Sequence, residues 1–384
     1  MKFHYISPST LPSRAANSIH VVWQCDALAR LGADVTLYAK RSIPEAGSLA
    51  EALEGSYGIN GGGLSLVTYF SASSWADSLR IAAMAMRHIA QASADDAVLS
   101  RNLYAAFVLG VLQRRPLLFE THQLELGARK AIQRFVMTRP WITTVVISNM
   151  LVHHLTRHHG IAPHRPVVLH DAAPEGIVPI PAADRRAVLQ RLVPSSAGDW
   201  KAVCGYFGHL YEGRGIEVIE ALARARPEIL FLVYGGNEPD VAAKRSANMR
   251  PNLRYMGHVP HHQARHIMTA VDVLLMPYQH RVSIGLAGHD TAEWMSPIKM
   301  FEYLAAGVPV IASRLPALGE VLEHGRNALL VAPDRPDEWS SALDMLLTNP
   351  ALAGGLGDKA HEEYRAKHTW TVRATSLLEI AHAL

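Results

Sequence analysis

Two charged residues interrupt a mostly apolar stretch, MSPIKMFEYLAAGVPVIAS, which runs from Met295 to Ser313. Lys299 precedes Glu302 by three residues, so on a helix both side chains would lie on one face. An ammonium group binds phosphate oxygens, and an ionised carboxylate accepts hydrogen bonds from two hydroxyl groups at once. The spacing therefore fits either a phosphate next to a sugar diol or a surface ion pair worth about 0.3 kcal/mol.

The boundaries of this stretch are typical of a helix between two strands. Serine at 296 caps a first turn, and proline at 297 suits the first helical position because it lacks the N–H that would stay unpaired there. Gly307 ends the predicted helix, and VPVIAS follows as a strand. Free N–H groups and the helix dipole favour a phosphate at such a helix start. If a phosphate binds here, Ser296, Pro297 and Lys299 would lie next to it.

The rest of the chain alternates between strands and helices. KFHYIS (2–7) and DVTLYAK (34–40) are predicted strands around a helical stretch, and the alternation restarts at KAVCGYFG (201–208). This pattern predicts two doubly wound Rossmann-like α/β domains facing a central cleft, with ligands at the carboxyl ends of the strands. The predicted ranges are an N-terminal domain (1–172), a Pro-rich linker (173–200), a C-terminal domain (201–360) and a closing helix (361–384) that packs back toward the N-terminal domain.

Composition excludes several other classes of protein. Apolar content of 49% and charged content of 18% in 384 residues are those of a globular protein, and two cysteines exclude a disulfide framework. A net charge of +3 is too small to indicate nucleic acid binding. The first residues are too weakly apolar for a signal peptide, and the apolar runs are too short for a membrane span. We expect a cytoplasmic protein.

The stretch 296–313 resembles the nucleotide-binding signature of retaining family four of the GT-B glycosyltransferases (glycosyltransferase group 1). It is similar to the subgroup with S-P-x-K-x-x-E followed by Y-x-A-A-G-x-P-V-I-A-S, and the similarity continues through LPALGEVLEHGRNALLV (315–331). Weaker similarity lies at GYFGHLYEGRGIEVIEAL (205–222), at the Y-G-G loop (234–236) and at SRAANSIH (13–20). Together these segments cover nearly the whole chain.

The resemblance assigns donor-binding residues. The ribose-binding glutamate of the family falls on Glu302, and two basic residues that hold the diphosphate fall on Arg214 and on His209, where many relatives have arginine. A guanidinium matches the geometry of a phosphate, whereas a neutral histidine does not carry the charge. The glycines of the Y-G-G loop, Gly235 and Gly236, belong to the same expected site.

One position departs from the family. Many relatives carry another glutamate eight residues before the ribose-binding glutamate. Here the residue eight positions before Glu302 is Trp294. Asp290 and Glu293 lie in the same loop, GLAGHDTAEWMSP, and either carboxylate could contact the donor sugar. We prefer Asp290, because the glycines around it would let the backbone approach a ligand closely.

The catalytic histidine of the N-terminal domain falls on His122 in FETHQLE, at the end of a predicted strand. The resemblance implies that it contacts the donor sugar near the reacting carbon. Glu120 and Glu125 flank it, and the sequence does not rank them. A histidine at a strand end is also common as a structural residue.

The implied reaction transfers a hexose-type sugar from a nucleotide-diphospho-sugar donor to a hydroxyl of a glycan or lipid-linked acceptor, with retention, in polysaccharide or glycolipid biosynthesis. We expect no metal and no cofactor, because the helix start with Arg214 and Lys299 can stabilise the departing diphosphate. A nucleotide-sugar epimerase on the same fold is an alternative. Trp294 also leaves open a nucleotide-binding protein without catalysis.

The N-terminal half carries the basic excess of the chain. Residues 1–172 hold 16 lysines and arginines against 11 aspartates and glutamates. GARKAIQRFVMTRPW (127–141) combines basic and aromatic residues, as expected of a helix that rests on an anionic membrane near a lipid-linked acceptor. An ordinary amphipathic surface helix has the same pattern, so peripheral contact with the inner membrane face is one of two interpretations.

Overall fold

Parallel strands form the centre of the first unit in this computed structural model, which describes residues 1–43, 49–59, 63–72, 76–283 and 290–384. The strands are β1 (Lys2–Leu11), β2 (Asp34–Arg41), β3 (Leu64–Phe70), β4 (Ala97–Ser100), β5 (Leu117–Thr121), β6 (Ile142–Val146) and β7 (Pro166–Val168). The helices between them are α1 (Ala16–Arg30), α2 (Leu49–Tyr57), α3 (Asp77–Ile89), α4 (Leu103–Ala106) with a π-helical continuation (Phe107–Leu112), α5 (Ala128–Met137) and α6 (Asn149–His159).

The strand order in this sheet is β3-β2-β1-β4-β5-β6-β7. The order reverses between β1 and β4, which is the point where doubly wound sheets open a crevice for ligands. Every residue of β5 and β6 is buried. That burial is typical of a parallel sheet covered by helices on both faces.

The second unit has its own parallel sheet. Its strands are β8 (Ala202–Phe207), β9 (Ile229–Tyr234), β10 (Leu253–Gly257), β11 (Val273–Met276), β12 (Val310–Ser313) and β13 (Leu329–Val331). Its helices are α7 (Ala182–Leu192), α8 (Ile216–Ala225), α9 (Glu238–Ala247), α10 (His261–Met268), α11 (Ile298–Ala306), α12 (Pro336–Thr348) and α13 (Pro350–Lys367), with short 3₁₀ turns at Pro194–Ser196 and Leu318–Glu320. The strand order, β10-β9-β8-β11-β12-β13, repeats that of the first unit, with the reversal between β8 and β11.

The division between the units falls after Ala172 and after His368, so the first unit is Met1–Ala172 with Thr369–Leu384 and the second is Ala173–His368. The segment 173–200, which the sequence predicts as a linker, lies in the second unit, where Leu189 and Val193 join its core. The closing segment 361–384 is divided as well. Its first residues finish α13 in the second unit, and a last helix, α14 (Trp370–His382), belongs to the first.

The two predicted α/β domains with parallel sheets are confirmed. Within the described residues, every helix is too short or too polar to cross a membrane.

Candidate functional site

A glycine-rich loop follows β8 and begins the candidate site of the second unit. A β-carbon at Gly213 would lie 1.8 Å from the carbonyl oxygen of Arg281, and one at Gly215 would lie 1.7 Å from that of Pro277. Both glycines also have positive φ angles, 80° and 76°. Only glycine fits such a close backbone approach. The loop after β8 is therefore held directly against the chain that follows β11, at the reversal point of the sheet.

Basic and aromatic side chains gather at this point, and we call them the Lys299 cluster. The Lys299 ammonium lies 4.2 Å from the ring centroid of Tyr206 and 4.4 Å from that of Tyr278. The Arg214 guanidinium donates to the Tyr278 hydroxyl (2.9 Å) and to the Ser283 carbonyl (3.1 Å). The cluster consists of Tyr206, His209, Arg214, Tyr278 and Lys299.

The charges of the Lys299 cluster have no carboxylate partner among the described residues. Burial and then the charge of Arg214 hold the pKa of Lys299 well below its usual range. Burial, Arg214, Lys299 and His258 lower the pKa of His209 to about 4. Two basic side chains and a neutral histidine thus share a partly buried place, and an anion bound there would stabilise the protonated lysine and the arginine.

Helix α11 begins one residue later than expected. Pro297 occupies the N-cap position with extended backbone (φ −76°, ψ 126°), and its carbonyl accepts the first helical hydrogen bond from the N–H of Met300 (2.8 Å). Ser296 is therefore not the N-cap residue, and its side chain is buried next to the helix start. The residue before a proline avoids helical backbone angles, so Ser296 stays outside the helix. Gly307 ends α11 with left-handed angles, as predicted.

Glu302 lies one turn into α11 and is 5% exposed. Its Oε1 lies 3.8 Å from Nδ1 of His261 and 4.0 Å from a guanidinium nitrogen of Arg265, both on α10. Lys299 and Glu302, both described residues, form no ion pair with each other, so the surface-pair interpretation does not hold. Glu302 is a nearly buried carboxylate with loose ionic contacts, which leaves its oxygens available to hydroxyl donors.

The Y-G-G loop after β9 packs against the loop after β8. A β-carbon at Gly235 would lie 2.1 Å from the carbonyl oxygen of Gly208, and one at Gly236 would lie 2.8 Å from the Leu210 side chain. The φ angles of 105° and 81° also favour glycine. These two glycines are needed to let the loops meet, and this packing explains their presence without a ligand.

The two carboxylates proposed for the donor sugar are exposed. Oδ1 of Asp290 accepts from the backbone N–H of Val282 (2.9 Å) and of Ala292 (3.0 Å), so Asp290 ties its own loop together. Glu293 lies three residues further along. The glycines that favoured Asp290, at 285 and 288, lie outside the described residues. The choice between Asp290 and Glu293 stays a prediction.

The first unit holds a second group of polar side chains, which we call the Glu120 cluster. Glu120, 1% exposed, is the penultimate residue of β5. Its Oε1 accepts from Nε2 of His122 (2.8 Å) and from Arg373 (2.8 Å), and its Oε2 accepts from the Tyr5 hydroxyl (2.9 Å). The ring of His20 lies between the two carboxylates, with Nε2 3.0 Å from Glu120 and Nδ1 on Asp171. The cluster consists of Tyr5, His20, Glu120, His122, Asp171 and Arg373.

Charge balance fixes the ionisation of the Glu120 cluster. Burial alone would raise the pKa of Glu120, but Arg373 and His20, with the histidine hydrogen bonds, hold that pKa well below its usual range. Burial and the nearby Arg101 lower the pKa of His122 to about 4, against the opposing effect of Glu120. His122 is therefore neutral at pH 7. Glu125, the other flanking carboxylate, is held by Arg129 through two hydrogen bonds (2.7 and 2.8 Å) instead.

The Glu120 cluster also contains the three side chains, among the described ranges, whose ligand atoms are close enough to hold a metal ion: His20, Glu120 and His122. The separations of 2.8 and 3.0 Å from the Glu120 oxygen to the two histidine nitrogens are hydrogen-bond distances. The Arg373 guanidinium contacts the same oxygen, where a metal ion would have to bind. We interpret the group as a hydrogen-bonded ionic cluster.

Several residues of the two clusters were not predicted from the sequence. Arg373 reaches Glu120 across 253 positions, and no local pattern marks such a pair. Tyr206 lies in the predicted strand 201–208 and Tyr278 follows β11; both are fully buried, and their apolar surroundings in the sequence are typical of core residues. Arg101, which follows β4 and donates to Nδ1 of His122 (3.1 Å), sits at the reversal point of its sheet, and that position was a usable signal.

The match to a family model lies within the second unit. Residues 201–349 match the family model described as Glycosyl transferases group 1. The phosphatidyl-myo-inositol mannosyltransferase of Mycolicibacterium smegmatis is 25% identical over 154 residues, which are 40% of this chain and 36% of that protein. The 2-deoxystreptamine glucosyltransferase of Streptomyces kanamyceticus is 27% identical over 193 residues, which are 47% and 46% of the two chains. The matches thus span less than half of these relatives.

Solved structures match over the whole chain. The Anabaena protein HepE in complex with UDP superposes with a TM-score of 0.72 at 15% identity, covering 100% of both chains. A glycosyltransferase from Rickettsia africae superposes with a TM-score of 0.74 at 13% identity, covering 100% of this chain and 98% of the other. At these identities the likeness concerns the fold. The expected GT-B architecture is confirmed, while the S-P-x-K-x-x-E subgroup stays a prediction.

Proposed function

We propose that this protein is a retaining, metal-independent glycosyltransferase, because residues 201–349 match the model of the group 1 glycosyltransferases. It moves a hexose-type sugar from a nucleotide-diphospho-sugar donor to a hydroxyl of a glycan or lipid-linked acceptor, in polysaccharide or glycolipid biosynthesis. The observation that carries the proposal is the Lys299 cluster, in which Lys299 and Arg214 lack a carboxylate partner among the described residues. A diphosphate is the anion that such a pair of cations fits.

The donor lies across the loop after β8 and the start of α11. Arg214 and Lys299 bind the diphosphate, and the positive end of the α11 dipole favours it. Glu302, one turn further along, accepts hydrogen bonds from the two ribose hydroxyls. HepE was solved with UDP and with UDP-glucose, and a trehalose-6-phosphate protein of E. coli with UDP-2-fluoro glucose, so uridine is the base we favour.

The proposed reaction breaks the bond between C1 of the sugar and the diphosphate oxygen. The electron pair of that bond leaves with the nucleoside diphosphate, and the transition state resembles an oxocarbenium ion. The acceptor oxygen forms its bond to C1 on the face that the diphosphate leaves, and its proton passes to the departing diphosphate. Lys299 and Arg214 stabilise the charge that develops on the leaving group, which is the largest catalytic contribution we assign to the protein.

These cations replace the metal ion that other transferases need for the same charge. Activity should therefore persist in EDTA. Asp290 or Glu293 takes the contact with the donor sugar, and His122 of the first unit is the second catalytic residue that we propose.

Peripheral contact with an anionic membrane is part of the proposal. Residues 107–141 hold six basic residues and two carboxylates, Glu120 and Glu125, both of which are buried. The surface of this segment therefore carries only positive charge, next to exposed apolar side chains at Leu112 (64%), Leu126 (65%) and Phe135 (51%). Cationic and apolar side chains together are typical of surfaces that bind anionic lipids.

The membrane proposal is tested by flotation with lipid vesicles. Wild-type protein should float with vesicles of phosphatidylglycerol and phosphatidylcholine, and not with phosphatidylcholine alone. The double variant Arg134→Glu, Phe135→Ser should stay at the bottom, whereas Arg335→Glu on the second unit should float normally. Equal flotation of both variants would remove the 107–141 surface from the proposal.

The activity is tested by NMR on UDP-glucose and other UDP-hexoses, with a panel of alkyl glycosides as acceptors, in the presence of EDTA. We expect a product whose anomeric coupling constant matches that of the donor, which reports retention. Free UDP and an epimerised sugar in the absence of acceptor would support the epimerase alternative. An inverted product, or activity that EDTA abolishes, would contradict the retaining and metal-independent parts of the proposal.

A further inference from the structure

Both ring nitrogens of His122 already have partners of known polarity. Nε2 lies 2.8 Å from a carboxylate oxygen of Glu120, which only accepts hydrogen bonds, so Nε2 carries the proton. Nδ1 lies 3.1 Å from a guanidinium nitrogen of Arg101, which only donates, so Nδ1 carries none. The two contacts together allow one form of the ring, the neutral Nε2–H tautomer.

We propose that Glu120 is a positioning residue that holds His122 in the Nε2–H tautomer, with Arg101 closing the other nitrogen, so that His122 serves the reaction as a neutral ring and not as a general base. This inference rests on the proposed function, because it concerns how His122 takes part in that transfer. It differs from a structural role for Glu120, because the state of the His122 ring depends on it.

The rest of the Glu120 cluster keeps that carboxylate in place and ionised. Arg373, from the last helix of the chain, donates to the same oxygen that accepts from His122 (2.8 Å). The Tyr5 hydroxyl donates to the other oxygen (2.9 Å). The ring of His20 bridges Glu120 and Asp171 and lies edge-on to that of His122, with centroids 4.9 Å apart. Glu120 thus cannot turn away from His122 without breaking several other contacts.

Protonation of His122 is opposed from two sides. A second proton on Nδ1 would point at the Arg101 guanidinium, and the ring is partly buried. The negative charge of Glu120 favours a protonated His122 ring, and Arg373 and His20 offset much of that effect. The charged and titratable groups that face His122 are therefore Arg101, Glu120 and His20, with Asp171 and Arg373 behind them. This arrangement agrees with a pKa of about 4 for His122.

The direct test is ¹⁵N NMR of the histidine rings in full-length protein labelled at histidine, with the His122→Asn variant to assign the signal. We expect a neutral ring protonated at Nε2 from pH 8 down to pH 5.5. A ring protonated at Nδ1, or one that titrates near pH 6.5, would overturn the inference. The measurement needs no substrate, so it can fail while the transferase proposal stands.

Variants separate positioning from folding. Glu120→Gln replaces the carboxylate by a weaker acceptor, so the His122 signal should move toward a mixture of tautomers. Transfer (kcat) should fall about 10- to 100-fold, as when an orienting partner of a functional histidine is lost, with KM for the donor nearly unchanged. Arg101→Met should raise the pH at which His122 takes up a proton, because a repelling charge is removed.

Glu125→Gln is the matched control, since Glu125 follows His122 by three residues and binds Arg129 instead. It should leave both the His122 signal and kcat unchanged. If Glu120→Gln keeps the Nε2–H tautomer and full kcat, Glu120 does not position the ring. If Glu120→Gln and Glu125→Gln lower kcat equally, the effect is a general loss of structure and the inference fails.

Discussion

The Glu120 cluster and the Lys299 cluster follow strands near the reversal points of two similar sheets, yet their charges are balanced differently. In the first unit, Arg373 donates to Glu120, and the His20 ring bridges the carboxylates of Glu120 and Asp171. In the second unit, Lys299 and Arg214 face two tyrosine rings and a neutral histidine, with no carboxylate among the described residues.

This difference in charge indicates different roles for the two clusters. A cluster that balances its own charge can hold a side chain in one orientation, because each change of partner would leave a buried charge unpaired. In a cluster with excess positive charge, the like charges repel one another, and a bound anion relieves that repulsion. Such a cluster is therefore suited to bind an anion. The first unit therefore holds a pre-set histidine, and the second holds a site for a charged ligand.

The largest effect should come from removing that histidine. We expect His122→Ala to lower the rate of transfer by about 10²- to 10³-fold, the loss typical of a single contact in the transition state. Binding of the nucleoside diphosphate should stay nearly unchanged, because the Lys299 cluster lies in the other unit. Kinetics and calorimetric titration of the same preparation would check both halves. Normal transfer would remove His122 from the reaction.

Arg214→Met should weaken nucleotide binding by about 10- to 100-fold, since a hydrogen bond to a charged group is lost together with the charge. The exposed arginine in Arg335→Met, which pairs with Asp337, is the matched control and should bind as the wild type does. Titration calorimetry with UDP measures both variants. Equal affinities would place the diphosphate somewhere other than the Lys299 cluster.

Glu302→Gln tests the sugar half of the same site. We expect UDP affinity to fall about 10-fold with the fold kept, because an amide is a weaker acceptor than a carboxylate. Wild-type protein should also prefer UDP to its 2′-deoxy analogue, and the variant should lose much of that preference. A variant that discriminates as well as the wild type would remove Glu302 from the ribose.

The smallest effect concerns pH. The pKa of His209 is about 4 in the folded protein, below the ordinary value of 6.5. The unfolded chain therefore binds more protons between these values, so the stability that neutral His209 contributes is present above pH 6.5 and is lost as pH falls toward 4. His209→Gln should flatten the pH dependence of urea unfolding in this window. His122 adds a similar slope of its own, so the variant should remove only part of the fall.

How far the sequence predicts this molecule depends on the range of the interactions involved. Both parallel sheets follow from local alternation, and Gly307 ends α11 as its type requires. Helix α7 was missed because AADRRAVLQRL buries a single residue, Leu189, and so has little periodicity. Lys299 and Glu302 were identified as a pair on one helix, but their separation toward different partners depends on Tyr206, Tyr278 and α10. Such contacts form only when distant segments pack.

The central claim is that the Lys299 cluster binds a nucleoside diphosphate, and a thermal-shift titration tests it most directly. UDP, GDP, ADP and dTDP would be titrated into wild-type protein and Lys299→Met, with and without EDTA, and Lys359→Met, whose lysine pairs with Glu362 on the surface, would be the control. A ligand that binds only the folded state raises the unfolding midpoint.

We expect one nucleotide, UDP, to raise the midpoint of wild-type protein and of Lys359→Met, regardless of EDTA. Lys299→Met should start about 2–4 °C higher without ligand, because a partly buried charge without a carboxylate partner is gone, and should respond far less to UDP. A wild-type protein that responds to none of the four nucleotides, or a Lys299→Met variant that responds as strongly as the wild type, would contradict the account.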